Sequence, residues 1–174
     1  ALPSNVGALN ITMGYPSKNN PGQILLAKLF KMHTNALSRN AKSYVLYYKD
    51  VLAVLTHPLI EPYANAQTLV KKINENNYTF ISHQKLIELN PNDSELFLLL
   101  FKKWDGNALS VLNFLSELLL KIKSSLSNDN EDEKITKAFL HAIFKVINKL
   151  INYYSNHQNI DNIDTLYAVY KFSL

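Results

Sequence analysis

Residues 22–56 read GQILLAKLFKMHTNALSRNAKSYVLYYKDVLAVLT, and this stretch decides the fold. After its first residue it contains neither Gly nor Pro, and apolar side chains recur at the three- and four-residue spacing of a helix face. Asn20-Pro21 in front of it supplies a capping side chain and a first-turn proline. His57-Pro58 behind it ends the pattern, because proline has no N–H to give and crowds the turn before it. Advancing 100° per residue gathers Leu26, Phe30, His33, Leu37, Tyr44, Tyr48, Val51 and Leu55 on one side. Lys28, Lys31, Asn35, Arg39, Lys42 and Lys49 fall within an arc of about 80° across from them. The expectation is one long amphipathic helix over 22–56, or two helices hinged near residues 35–40.

The basic side of that helix is the second signal. The chain carries Lys18, Lys28, Lys31, Arg39, Lys42 and Lys49 before its first acid, Asp50, whereas the remaining twelve lysines share their sequence with all fourteen acids. Helix surfaces usually mix signs, since opposite charges one turn apart are mutually stabilising. Lysines also serve to solvate the outer face of any amphipathic helix. Two features argue beyond solvation: the repulsion goes unrelieved for 49 residues, and the stripe holds the only arginine, Arg39, whose planar fork matches phosphate. A polyanionic partner is therefore expected for the N-terminal third. As one rod, the stripe extends about 32 Å and sets five cations against about nineteen duplex phosphates. Neutralising about five phosphates gives a salt slope near −4.5 and about a 500-fold loss of affinity between 50 and 200 mM salt. Tight binding would need many copies side by side. Tyr44 and Tyr48 lie on the apolar side, which favours phosphate contact with a duplex over base stacking.

Outward from this stretch, residues 1–21 hold Pro3, Pro16 and Pro21 with Gly7 and Gly14, and read as an extended arm. Beyond Pro58, helices are expected near 61–76, 82–89 (capped by Ser82), 92–104, 107–126, 130–155 and 161–172. The helix at 107–126 lines up Leu109, Leu112, Leu115, Leu119 and Ile122. That at 130–155 lines up Ile135, Phe139, Ala142, Val146, Leu150 and Tyr154, with Glu131, Asp132 and Glu133 in its first turn, where the helix dipole favours them. Lys137, His141, Lys145 and Lys149 form a second, weaker basic row outside that seam, read as solvated surface. No run alternates strongly enough to be read as a strand. The class is all-α: an extended arm (1–21), a long basic helix or helix–hinge–helix (22–56) and a C-terminal helical bundle (57–174).

Composition removes several alternatives. With 174 residues, 47% apolar and 18% charged, the chain can bury one core. The absence of cysteine excludes disulfide scaffolds, thiolate zinc sites and cysteine nucleophiles. The longest apolar run, LFLLLF at 96–101, is far below the roughly 20 residues of a membrane span, and ALPSNVGALNITMGYP does not read as a signal peptide. His33, His57, His83, His141 and His157 show no metal-binding spacing, and four glycines build no phosphate loop. Neither a metal, nor a cofactor, nor an enzymatic activity is expected.

With its proline-bearing arm, its acid-free basic helix at 22–56 and its helical remainder, the sequence resembles the α-helical major coat proteins of filamentous archaeal viruses. The resemblance implies a structural coat protein of the virion that wraps double-stranded DNA, with C-terminal helices forming the outer wall of a filament. It also implies self-association or pairing with a paralogous coat subunit. Lys28, Lys31, Arg39, Lys42 and Lys49 would contact phosphates, joined by Lys18 from the arm. A second reading belongs to another class: a helical interaction module of an AT-rich virus or pathogen, in the host cytoplasm or secreted, holding a partner helix in an apolar groove. Salt-dependent DNA binding with high-order assembly marks the first; a monomer indifferent to DNA marks the second.

Overall fold

The computed structural model of the chain describes residues 20–39, 43–63, 66–90, 95–127, 129–157 and 162–173. In chain order the elements are α1 (Pro21–Arg39), β1 (Val45–Tyr47), α2 (Tyr48–Leu55), α3 (Ala66–Glu75), β2 (Phe80–Ser82), α4 (His83–Leu89), α5 (Glu95–Phe101), α6 (Ala108–Ser125), α7 (Glu131–Asn156) and α8 (Ile163–Phe172). The class is all-α, with one small ribbon added: β1 and β2 pair antiparallel, Leu46 opposite Ile81 and Tyr47 opposite Phe80. Among the described residues no helix is long and apolar enough to cross a membrane. The arm expected over 1–21 lies outside the described residues, apart from Asn20 and Pro21, which begin α1.

Local chemistry sets the helix starts. The Asn20 side chain accepts the Gly22 N–H at 2.9 Å. Ser82, Asn107, Asn130 and Asn162 each take a backbone N–H three residues on, beginning α4, α6, α7 and α8.

The segment 22–56 is not one rod. α1 stops at Arg39, the chain passes through β1, and α2 packs back on α1. Ser38, Asn40 and Ser43 are poor helix formers, and the following Val45-Leu46-Tyr47 suits an extended ribbon. The ribbon's partner strand at 80–82 lies too far along the chain to be read locally. The helix–hinge–helix alternative is nearer to what forms, with the strand β1 between the two helices.

α1 is the central helix of the molecule and touches α2, β1, α7 and α8. Leu25, Leu29, Met32 and Ala36 are buried as well as Leu26, Phe30 and His33, so its apolar arc is wider than the expected seam. Gly22 lets α1 cross close over α7: a Cβ there would stand 2.8 Å from Ile143 Cδ1 and 3.0 Å from Leu140 Cδ2. α6 and α7 form a helical hairpin. α8 closes the fold by stacking Tyr167 on Phe30, centroids 4.5 Å apart.

The α7 seam is rotated from its expected place. Leu150 and Tyr154 are buried as expected, but Leu140, Ile143 and Ile147 complete the buried stripe, Phe139 and Val146 are half-buried, and Ile135 and Ala142 are exposed. Apolar residues cover much of this helix, and its packing against α6 together with the crossing at Gly22 selects which of them face inward.

Candidate nucleic-acid interface

The basic stripe of α1 runs along the edge where α2 docks, and much of it is used there. Lys28 is half-buried and donates from Nζ to the Ala53 carbonyl at 3.1 Å. Asp50, the first acid of the chain, is buried and accepts a hydrogen bond from Asn35 Nδ2 at 3.1 Å. Lys31 Nζ stands 3.6 Å from the same carboxylate, with its side chain still 70% exposed. Asn35 and Lys28 thus hold α2 to α1. The rail expected from Lys28 to Lys49 does not form, because the chain reverses and its own backbone and carboxylate engage three of the members, Lys28, Lys31 and Asn35. Lys18 and Lys42 lie outside the described residues.

The same reversal collects the exposed members at one corner. Arg39 lies over the ribbon, its guanidinium carbon 5.3 Å from the Tyr47 ring centroid and 5.0 Å from that of Phe80. Tyr47 meets Tyr48 edge-to-face at 5.1 Å, and Lys49 Nζ stands 5.9 Å from the Tyr48 centroid. Sequence reasoning missed the aromatic partners of Arg39. Phe80 reaches it only through the β1–β2 pairing, for which no local signal exists.

The row set aside as surface is the longer continuous basic face. Taking Leu140 as zero and 100° per residue, the buried stripe of α7 centres near 320°; of the expected row, half-buried Lys137 lies off to one side near 60°, while His141, Lys145 and Lys149, joined by Lys134, lie at roughly 100–180°. They face directly away from the core, over about 22 Å of helix. After Glu133 no acid occurs until Asp161. Lys134 is paired with Glu131 one turn back. Lys145 and Lys149 are exposed, and among the described residues no carboxylate comes within 4.0 Å of either.

The buried titratable groups are structural. His33 is fully buried between Tyr44 and Leu100. A carbonyl can only accept, so His33 Nε2 carries the proton to Leu100 O at 2.9 Å, and Nδ1 takes the Tyr44 hydroxyl proton. The imidazole stacks on Trp104 at 4.3 Å. Burial lowers the His33 pKa to about 3, against a smaller opposing effect of the Leu100 carbonyl. Burial, then the charge of Lys28, lowers that of His57 to about 4. Burial raises the Tyr44 phenol above its ordinary range. His33 is closed off from solvent, and no group of three or more metal-ligating side chains gathers among the described residues.

Comparison with protein-family models, with curated proteins and with solved structures finds no match to this chain.

Proposed function

We propose that the chain is a structural, non-catalytic protein that binds the sugar-phosphate backbone of nucleic acid by charge, without base readout, and does so in many copies. The observation that carries this reading is the solvent face of α7, where Lys145 and Lys149 stand uncompensated on a helix side free of acids from Lys134 onward. The exposed Lys31, Arg39 and Lys49 at the α1–α2 corner add to it. A single copy offers few cations, so sequence-independent affinity stays weak until neighbours line up along one strand. A coat subunit packaging duplex DNA in a filament is the form of this reading in which that summation is built in. The partner-helix reading is less favoured: the large exposed apolar side chains Ile24, Phe80, Leu98, Leu120, Ile135 and Tyr153 are spread over five elements.

The test is duplex DNA binding followed by fluorescence anisotropy across a salt series, with wild type beside Lys145→Gln/Lys149→Gln. Removing two phosphate contacts should lower the magnitude of the salt slope by about 2 and weaken binding to all sequences alike. Wild type that ignores duplex at low salt, or a double variant that matches it, overturns the reading.

A further inference from the structure

We propose that the outer face of the β1–β2 ribbon is a second nucleic-acid site, and that it takes an unpaired base by stacking. The inference rests on the nucleic-acid reading but not on the lysines of α7. Period-2 alternation points Leu46 and Ile81 into the core and sends the cross-strand pair Tyr47 and Phe80 to the other face. Phe80 is 47% exposed there. A lone exposed ring is ordinary, but this one sits 5.8 Å from Tyr47 with the guanidinium of Arg39 against both. Flat cations and flat rings are the two surfaces on which unstacked bases are held.

The surroundings supply the rest of what a strand needs. Tyr48 and Lys49 continue the strip from Tyr47, so one cation lies over Phe80 and Tyr47 and a second beside Tyr48. Asp50, next to Lys49, is buried and already bonded to Asn35 and Lys31, which leaves it turned away from the strip. Past Tyr48 opens a cleft of about 390 Å³, whose lining includes Asn74, Asn77 and Thr79 with side-chain donors and acceptors for a base edge. Duplex bases keep their faces stacked and paired, so only a single strand or a frayed end presents what this platform binds. Arg39 and Lys49 then meet the phosphates on either side.

The experiment uses the full chain with an oligothymidylate of about 15 nucleotides carrying one central 2-aminopurine, and a labelled duplex of matching length. The variants are Phe80→Ala and Arg39→Lys, the second keeping the charge while losing the plane. Both positions are exposed, and an unchanged melting curve checks the fold. Wild type should alter 2-aminopurine fluorescence on binding. Phe80→Ala should weaken single-strand affinity roughly 5- to 150-fold, the range of one stacked base. Arg39→Lys should weaken it too, and Phe80→Ala should leave duplex affinity within about twofold. Duplex binding with single-strand affinity indifferent to both variants overturns this site and leaves the α7 reading standing. Binding to neither oligonucleotide removes both, as does attachment to phosphatidylserine vesicles in place of any oligonucleotide binding.

Discussion

At the scale of single residues, two buried histidines make stability depend on pH. In the unfolded chain a histidine titrates near 6.5, whereas the fold holds His33 at about 3 and His57 at about 4. Between those values the unfolded state binds more protons, so stability rises with pH. The contribution is fully present above about pH 6.5 and is lost as pH falls toward the folded values. Each histidine adds a slope of up to about 1.4 kcal/mol per pH unit in that window. Urea midpoints measured from pH 7.5 down to 4.5 should therefore fall steadily. His33→Phe should flatten the fall while lowering stability at neutral pH by roughly 1–3 kcal/mol, because the Leu100 carbonyl and the Tyr44 hydroxyl lose their partner. Equal slopes in the two proteins would remove His33 as a source of the effect. Asp50 makes a parallel case. Asp50→Ala strands the Asn35 amide and should cost about 1–3 kcal/mol, while Asp50→Asn, keeping an acceptor oxygen, should cost less. Matching losses from both would mean that the negative charge, not the hydrogen bond, holds α2 in place.

At the scale of elements, what was legible is what neighbours in sequence decide. Asn20 and Ser82 act as the caps their side chains suggest, and the acidic first turn of α7 stands where the dipole favours it. Asn130 caps α7 in the same way, so Asn130→Ala should lower the urea midpoint by the equivalent of about 1 kcal/mol with the m-value unchanged. Faster amide exchange should then be confined to the first turn of α7. What was not legible depends on partners distant in the chain. Ile135 and Ala142 fit an apolar seam as well as Ile143 and Ile147 do. The packing of α7 against α6 and the approach of α1 at Gly22 choose between them. The end of α1 at Arg39 hides in a segment with unbroken helical spacing, because the strand that competes with the helix sits at Phe80–Ser82. The candidate site inherits both errors. A stripe laid on an uninterrupted rod puts Lys28 and Asn35 in solvent, whereas the fold uses them to dock α2.

At the scale of the whole molecule, α1 and α8 share one core. Ile163, Leu166 and Tyr170 of α8 are buried, and Tyr167 and Tyr170 stack against Phe30 of α1. Burying each of these large side chains is worth roughly 1.5–3 kcal/mol, which together approaches a typical total stability of about 5–15 kcal/mol. A chain ending at residue 157 should lose its cooperative thermal transition and bind a hydrophobic dye; a sharp melt near the full-length temperature would show that α8 is an accessory. Function at this scale is a matter of number. One α7 face that neutralises about two phosphates through Lys145 and Lys149 has a salt slope near −1.8 and loses about 12-fold from an already weak affinity between 50 and 200 mM salt. A monomer with that dependence cannot hold a genome-length polyanion at physiological salt. An array can, because each added copy binds a strand already brought close by its neighbours. The proposed packaging role therefore predicts cooperative isotherms that steepen as the DNA is lengthened, accompanied by regular filaments in negative-stain micrographs of protein with long duplex. Hyperbolic isotherms whose affinity per site is the same on short and long DNA would leave a weak, solitary binder. The structural role would then have no physical basis, even with every lysine contact intact.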